Sequence, residues 1–372
     1  MDMANGTNAQ TDPKVDGTTA ASAAPRRRIH AQIPDDKAML RAAAELTRDI
    51  NTARADIYWP DMIASALVGY GAMAGAILAP NGWMMAAFAV VSVLALYRAL
   101  LFIHEISHLH RDALPGFRTA WNLLVGIPML TPSLMYEAVH TLHHARTKYG
   151  TVADPEYMPL ALMKPWSLPL FVLVAALAPI GLLLRFAVLA PLGAVIPAVR
   201  RMNWSRFSAL AINPAFRRRA EEGPAKRRFF WQEVFASIWA IALLGLVVTT
   251  GAWRAFGIAL AITSAVAVFN QMRTLVAHLW ENDGEAMTVT AQYLDSVNVP
   301  PPSPLAALWA PVGLRYHALH HLIPSMPYHS LGEAHRRIRA HLGEGSTFDE
   351  SSHGGMTGLI ARIIRSTSGR AV

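Results

Sequence analysis

Residues 83–108 read WMMAAFAVVSVLALYRALLFIHEISH, an apolar run that ends in two histidines four positions apart. The run 83–103 is close to the roughly 20 residues that a helix needs to cross ~30 Å of hydrocarbon. In an α-helix, positions i and i+4 lie on the same face, so His104 and His108 would project together. The stretch therefore predicts a membrane helix that ends in a pair of candidate metal ligands.

Two further groups of histidines repeat a second pattern, HxxHH, at helical spacing. They are His140, His143 and His144, and His317, His320 and His321. Eight imidazoles exceed what one ion binds, since zinc takes four ligands and octahedral ions take six. The chain contains no cysteine, which excludes disulfides and thiolate ligands. We therefore expect two ions with nitrogen or oxygen ligands.

Three more apolar runs, at about 62–80, 233–250 and 255–277, predict further membrane spans. Hydrophobic residues make up 53% of the chain and charged residues only 16%, which is unusual for a soluble enzyme. The stretch 166–198 is also apolar, but prolines interrupt it, and proline kinks or breaks a helix interior. This pattern favours interfacial helices that lie at the membrane surface. The prolines are Pro169, Pro179, Pro191 and Pro197.

Charge and loop length predict the topology. The short turns at 79–82 and 251–254 suit the non-cytoplasmic side, whereas the basic residues within 200–228 suit the cytoplasmic side and the membrane rather than nucleic acid. All three histidine groups then emerge in the cytoplasm, where His278 follows the last span as a ninth candidate ligand. We predict an all-α integral membrane protein of about four transmembrane helices with a cytoplasmic helical cap.

This prediction divides the chain into three parts. Residues 1–58 would form a disordered cytoplasmic segment, residues 59–342 the membrane domain and residues 343–372 a C-terminal tail. Nearby carboxylates could orient the imidazole rings through their outer N–H groups. The candidates are Glu105, Glu137, Asp154 and Glu156.

The ligand type leaves the metal and the reaction open. Imidazole suits iron, copper, zinc and nickel, but only a redox metal activates dioxygen, so two irons are the natural choice for attack on unactivated hydrocarbon. The alternative of a membrane zinc protease rests on residues 104–108, which match HExxH, with Glu105 as the general base. That alternative would leave six clustered histidines unexplained.

Three motifs together resemble those of the membrane fatty acid desaturase family, over about residues 60–340. They are His104-Glu105-Ile106-Ser107-His108, His140-Thr141-Leu142-His143-His144 followed by Asp154-Pro155-Glu156-Tyr157, and Tyr316-His317-Ala318-Leu319-His320-His321-Leu322-Ile323-Pro324-Ser325-Met326-Pro327-Tyr328. The resemblance implies a di-iron centre held by the eight box histidines and His278. It implies an oxidoreductase that uses dioxygen and two electrons to introduce a double bond into an acyl chain.

Related enzymes with similar boxes are lipid or alkane hydroxylases and carotenoid ketolases, so hydroxylation or ketone formation is the alternative outcome. Pro324 and Tyr328 favour the desaturase branch over the carotenoid branch. In the acyl-CoA branch an asparagine lies four residues before the ninth histidine, whereas this chain has Thr274 there and Asn270 one helical turn earlier. An iron-bound water would then be held differently, and Thr274 and Asn270 are candidate residues of the layer behind the ligands.

The resemblance also implies partners and a location. The chain contains neither a nucleotide-binding glycine fingerprint nor a haem-binding cytochrome domain, so a separate carrier such as a ferredoxin or a cytochrome would supply electrons. The substrate would be a lipid or acyl chain in the membrane. We expect the bacterial inner membrane, with the active site facing the cytoplasm.

Overall fold

The computed structural model describes residue 31, residues 33–220 and residues 222–369, so residues 1–30 of the predicted N-terminal segment lie outside the described residues. Within these ranges the chain is helical, with three isolated β-bridges and no β-strand. The α-helices are α1 (Lys37–Glu45), α2 (Ala55–Leu78), α3 (Gly82–His108), α4 (Phe117–Trp121), α5 (His140–His143), α6 (Ser167–Val195), α7 (Pro197–Phe207), α8 (Gly223–Thr250), α9 (Trp253–Leu275), α10 (Val289–Asp295), α11 (Ala306–Trp309), α12 (His317–Leu322), α13 (Leu331–Leu342) and α14 (Met356–Thr367). Short 3₁₀ helices lie at Arg48–Ile50, Ser133–Met135, Leu160–Leu162, Tyr328–Ser330 and Asp349–Ser351, and a π-helical turn lies at Asn122–Gly126.

The prediction of an all-α integral membrane protein is confirmed. Helices α2, α3, α8 and α9 correspond to the four predicted spans, and each is long and apolar enough to cross a membrane. Helix α6 also meets these criteria of length and composition, which makes five candidate spans in the described part of the chain. Helix α3 continues for one turn beyond the apolar run, so that its last residue is His108.

The hairpin of α2 and α3 forms the centre of the bundle because small residues let the two backbones approach closely. A Cβ atom added at Gly69 would lie 2.6 Å from Leu96 Cδ2, and one added at Gly75 would lie 2.8 Å from Phe88 Cδ1. The hydroxyl of Ser92 donates a hydrogen bond of 2.9 Å to the carbonyl of Gly69. Small residues and interhelical hydrogen bonds are the usual means of association where lipid removes the hydrophobic driving force.

Helix α6 is continuous, although we expected its prolines to break it. A 3₁₀ turn at Val174–Leu177 precedes Pro179, and a π-helical turn at Arg185–Leu189 precedes Pro191. These turns change the hydrogen-bond register just where proline lacks an N–H group and would clash with the carbonyl of residue i−4. The helix therefore accommodates its prolines by local changes of pitch.

The two ends of α6 lie near the same half of the α8/α9 pair. Leu168, near its start, belongs to a buried cluster with Leu275 at the end of α9. Arg185, about two thirds of the way along α6, donates to Glu233 in the first half of α8, and Arg200 of the following helix α7 pairs with the same carboxylate. These contacts favour a shallow path, and the interfacial position of residues 166–198 stays a prediction.

The remaining helices form a cap over the ends of the bundle. Helices α1, α10, α12 and α13 share one buried cluster that contains Met39, Tyr293, Leu319 and Ile338. The segment predicted as a C-terminal tail contains α14, which buries Leu359 and Ile363 against the membrane domain. Helix α14 is therefore part of the folded unit.

Candidate metal centre

Four elements of the fold bring nine histidines to the boundary between the bundle and the cap. His104 and His108 lie on the last turn of α3, and α5 and α12 are single turns that carry the two HxxHH motifs. His278 follows α9 and forms a β-bridge with Ser296, just after α10. These elements are far apart in sequence, so tertiary packing alone places their side chains together.

The nine rings form two clusters in which all ligand atoms lie within 4.8 Å of one another. The five-histidine cluster has three buried and two partly buried rings, and the four-histidine cluster is fully buried. The clusters are adjacent, since the rings of His144 and His321 stack with their centroids 4.3 Å apart. The first cluster comprises His104, His108, His140, His144 and His320, and the second His143, His278, His317 and His321.

Each HxxHH motif serves both clusters, in opposite ways. His140 and His144, one turn apart, belong to the five-histidine cluster, whereas His143 between them belongs to the other. In α12 the pair one turn apart, His317 and His321, belongs to the four-histidine cluster, and His320 to the five-histidine cluster. Positions i and i+4 point in similar directions, and position i+3 is rotated by about 60° from position i and by about 100° from position i+4, so one helical turn reaches two neighbouring centres.

The spacing of the ring nitrogens fits a bound metal. The Nε2 atoms of His140 and His144 are 3.0 Å apart, and the Nε2 atom of His320 lies 3.1 Å from that of His144 and 3.1 Å from that of His108. A metal–nitrogen bond of about 2.1 Å places two ligands at a right angle about 3.0 Å apart. His104 is buried, and among the described residues neither of its ring nitrogens has a hydrogen-bond partner. A cation would satisfy this donor set.

In the five-histidine cluster, one outer nitrogen has a carboxylate partner. The Nδ1 atom of His140 lies 2.9 Å from Glu156 Oε1, and the Tyr136 hydroxyl donates to Glu156 Oε2 over 2.9 Å. The Nδ1 atoms of His104, His144 and His320 are buried without a hydrogen-bond partner. Glu156 thus fixes the orientation of a single ring in this cluster.

The four-histidine cluster has a more extensive outer layer, meaning the residues that contact the Nδ1 atoms of its rings. The Nδ1 atom of His143 lies 2.9 and 3.1 Å from the two oxygens of Asp154, which also accepts hydrogen bonds from the backbone N–H groups of Gly150 and Glu156. Asp154 is fully buried. This carboxylate therefore ties the ring of His143 to the loop that follows the second box.

Two further rings of this cluster have partners that the motifs did not indicate. The Tyr149 hydroxyl donates to Asp295 over 2.9 Å and lies 2.8 Å from His278 Nδ1, so it can accept the proton on that nitrogen. A guanidinium nitrogen of Arg273 lies 3.1 Å from His317 Nδ1. Arg273 and Asp295 lie outside the three histidine motifs, and the structure places both directly behind the histidines.

The other predicted outer residues have different contacts in the structure. The carboxylate of Glu105 accepts hydrogen bonds from the Tyr58 hydroxyl and from the backbone N–H of Tyr328, and it lies 3.8 Å from His104 Nδ1. Glu137 pairs with Arg118. The hydroxyl of Thr274 donates to the carbonyl of Asn270 within α9. Glu105 thus joins α3 to the loop after the third box, an orientation that does not suit a protease general base.

Burial sets the protonation of most rings outside the membrane helices. It lowers the pKa of these imidazoles, and neighbouring histidines add to the effect, so the rings are neutral and able to bind a cation. Burial would also lower the pKa of His143, but the carboxylate of Asp154 outweighs it and the pKa is raised. The rings with a lowered pKa are His140, His144, His278, His317, His320 and His321.

Burial acts in the opposite direction on the carboxylates. It raises the pKa of Glu156 to about 7 and that of Asp295 to about 7. A buried carboxylate loses the solvation that favours its charged form, and a nearby cation favours that form again. The outer layer would therefore ionise more readily when the clusters carry positive charge.

Comparison with known proteins agrees with this geometry. The family model described as fatty acid desaturase matches residues 81–351, which include all nine histidines. A ceramide hydroxylase of Caulobacter vibrioides (strain NA1000 / CB15N) is 45% identical over 336 residues, which are 90% of this chain and 95% of that protein. The resemblance seen in the three histidine motifs thus extends over most of the sequence, and the chain belongs to the fatty acid desaturase family.

Proposed function

We propose that this protein is a dioxygen-dependent di-iron hydroxylase that acts on the hydrocarbon chain of a ceramide or a closely related membrane lipid. The similarity to a ceramide hydroxylase over 90% of the chain carries this proposal. It favours the hydroxylase alternative over desaturation, which the sequence motifs alone placed first. The family is one of membrane oxidoreductases that act on lipids, and both outcomes use the same type of centre.

The nine histidines of the two clusters are the proposed iron ligands, with His278 as the ninth. Bound iron would supply the redox chemistry that activates dioxygen. In the overall reaction, a carbon–hydrogen bond, dioxygen, two electrons and two protons give an alcohol and one water molecule. A separate electron carrier, such as a ferredoxin or a cytochrome, would deliver both electrons from the cytoplasmic side of a bacterial inner membrane.

The protein's own residues prepare the site for this reaction. Asp154 and Glu156 hold the rings of His143 and His140, which limits the motion of one ligand in each cluster. Burial of the rings in the four-histidine cluster excludes water, which would compete for coordination and quench reactive species. Seven of the proposed ligands lie in the cap or at its edge, and the other two lie on α3. The reacting carbon must therefore approach where α3 meets the cap.

Product analysis distinguishes the proposal from desaturation. The purified protein, loaded with iron in liposomes that contain ceramide, is supplied with a reduced electron carrier and heavy-isotope dioxygen. We expect a ceramide product that has gained one labelled oxygen atom, identified by mass spectrometry. A product that lacks two hydrogen atoms and contains no label would instead establish a desaturase, and peptide cleavage without dioxygen would support the zinc protease.

Matched histidine variants test the ligand assignment in the same assay. His143→Ala should abolish turnover, because it removes a buried member of the four-histidine cluster. His110→Ala is the control, since this histidine lies two residues after the first box with a side chain that is 81% exposed. Full activity of His143→Ala, or equal loss in both variants, would contradict the assignment.

A further inference from the structure

Residues 304–312, called here the α11 loop, connect the cap to the third histidine box and carry exposed apolar side chains. Leu305 is 67% exposed and Leu308 is 54% exposed, three positions apart on the same face of the helical turn. Ala306, on the opposite face, is fully buried. The loop thus presents two large apolar side chains outward from a segment that the sequence assigned to the cytoplasm.

A hydrogen bond to α3 gives the depth of the loop. The hydroxyl of Tyr97 donates to the carbonyl of Trp309 over 2.9 Å. Tyr97 lies 11 residues before His108, the last residue of α3, which corresponds to about 16 Å along the helix axis. Side chains of a helix tilt toward its N-terminus, here away from the histidines, so the hydroxyl lies no nearer to His108 than the backbone of Tyr97 does. Because the apolar run of α3 ends at Ile103, six residues after Tyr97, the loop reaches about 9 Å inside the predicted membrane span.

The contacts of the loop fit this depth. Ala310 and Val312 belong to the same buried cluster as Tyr97 of α3 and Ile262 and Val266 of α9. Its backbone forms local hydrogen bonds from Leu308 to Leu305, from Trp309 to Leu305 and from Ala310 to Ala306. Hydrocarbon offers no partner for polar backbone groups, so a segment at this level must satisfy them internally.

The loop is closed at its cytoplasmic end by one side chain. The guanidinium of Arg315 donates to the carbonyls of Val299 and Ser303, over 2.8 and 3.1 Å. These bonds join the segment that enters the loop to the segment that leaves it, and His317 lies two residues after Arg315. The position of the third histidine box is thus mechanically connected to the α11 loop.

We infer that the α11 loop is re-entrant and that Leu305 and Leu308 contact the acyl chains of the bilayer. Through Ala310 and Val312 the same loop packs against α3 and α9, two of the candidate membrane spans. A second short segment behaves similarly on α3, since the Trp121 indole donates to the carbonyl of Ala99 over 2.8 Å and Leu123, two residues later, is 61% exposed. The bilayer would therefore help to hold the third box in place.

Single-cysteine labelling tests this inference without using enzymatic activity. The natural chain contains no cysteine, so a nitroxide attached to Leu305→Cys or Leu308→Cys reports one position only. In proteoliposomes, electron paramagnetic resonance compares the collision of each label with dissolved oxygen, which concentrates in lipid, and with a water-soluble nickel chelate. Two control positions are Val248→Cys, 65% exposed on α8, and Val152→Cys, 77% exposed in the turn after the second box.

We expect the labels at 305 and 308 to collide with oxygen and to be protected from the nickel chelate, as at 248. Collision with the chelate to the extent seen at 152 would place the loop in water and overturn the inference. Poor collision with both reagents would mean that a second protein surface covers the loop, which would overturn it equally. Because no turnover is measured, the result is independent of the proposed hydroxylation.

Discussion

The two histidine clusters have similar inner faces and different outer layers. The five-histidine cluster includes two partly buried rings, and the outer nitrogens of three of its rings have no hydrogen-bond partner. The four-histidine cluster is fully buried, and two of its four rings have an outer partner that can accept the Nδ1 proton, namely Asp154 or Tyr149, while Arg273 lies 3.1 Å from the Nδ1 atom of a third. The first centre thus depends on the number of its ligands, and the second on how firmly each ligand is held.

This difference has a chemical consequence. An ion that prefers six ligands keeps one free position among five imidazoles and two among four. The rigid second centre therefore has more room for an exogenous ligand, whereas the first has more protein ligands and greater exposure. Groups that hydrogen-bond to the outer nitrogens of metal-binding histidines determine ring orientation and ligand basicity, so the two ions should differ in affinity and in reduction potential.

Removing one ligand from each cluster should give the largest effects. His321→Ala leaves three imidazoles in its cluster, whereas His144→Ala leaves four. We expect both variants to lose turnover and His321→Ala to lose metal affinity more severely, by more than about 100-fold, because loss of an outer partner alone costs 10–100-fold. Metal content after dialysis against a weak chelator measures this. His341→Ala, outside the clusters, is the control, and equal retention in all three variants would refute the comparison.

Removing one carboxylate from each outer layer should give the next largest effects. Asp154→Asn and Glu156→Gln should each weaken metal binding by about 10–100-fold. The loss should be larger for Asp154→Asn, because this side chain is fully buried and also accepts two backbone hydrogen bonds. Titration of each variant with iron, followed by absorbance, would show which of the two binding steps is weakened. If a variant weakened iron binding equally in both steps, the two clusters would not have separate outer layers.

Acid should destabilise the metal-free protein. The six rings with a lowered pKa stay neutral in the folded state but take up protons near pH 6.5 when unfolded, so their contribution is lost as the pH falls below 6.5. His143, Glu156 and Asp295 have raised pKa values and act in the opposite direction, but they are fewer. The melting temperature should therefore be nearly constant above pH 7 and fall below about 6.5. A melting temperature that rises on acidification would contradict this assignment.

A smaller effect is expected at Glu105, next to the five-histidine cluster. Glu105→Ala removes the acceptor for the Tyr58 hydroxyl and the Tyr328 N–H, which should cost about 1–3 kcal/mol of stability. Turnover of Glu105→Gln, which keeps an acceptor oxygen, should fall by much less than the roughly 10²–10⁴-fold expected of a general base. Denaturation midpoints and rates of both variants measure the two effects. A Glu105→Gln variant that folds normally but is inactive would indicate that Glu105 takes part in the reaction.

The smallest effect concerns the backbone before the second box, which serves both clusters. Ala138 has a φ of 61°, in the left-handed region that costs an L residue roughly 1–2 kcal/mol. Glycine relieves this cost but loses more entropy on folding, so Ala138→Gly should raise stability by less than about 1 kcal/mol. Thermal unfolding compares it with Ala138→Val, which should be destabilised. Both substitutions should leave the relative affinities of the two clusters unchanged.

The sequence predicted those parts of the molecule that depend on local patterns. Apolar runs of sufficient length identified α2, α3, α8 and α9, and helical spacing identified the eight box histidines as neighbours. Other features depend on tertiary packing. The approach of Arg273 to His317 and of Tyr149 to His278 joins positions 44 and 129 residues apart, which no periodicity reveals. Continuity of α6 required 3₁₀ and π turns beside its prolines, and these are conformational adjustments rather than sequence motifs.

The sharing of α5 and α12 between both clusters couples the two centres mechanically. A small rotation of either helix would withdraw nitrogens from both ions at once. A shift of the backbone therefore cannot change the coordination of one ion alone. Divergence within such a framework must therefore proceed through the outer partners and the walls that guide the lipid. Under that constraint, one ligand scaffold could serve different oxidations without any change in its inner imidazoles.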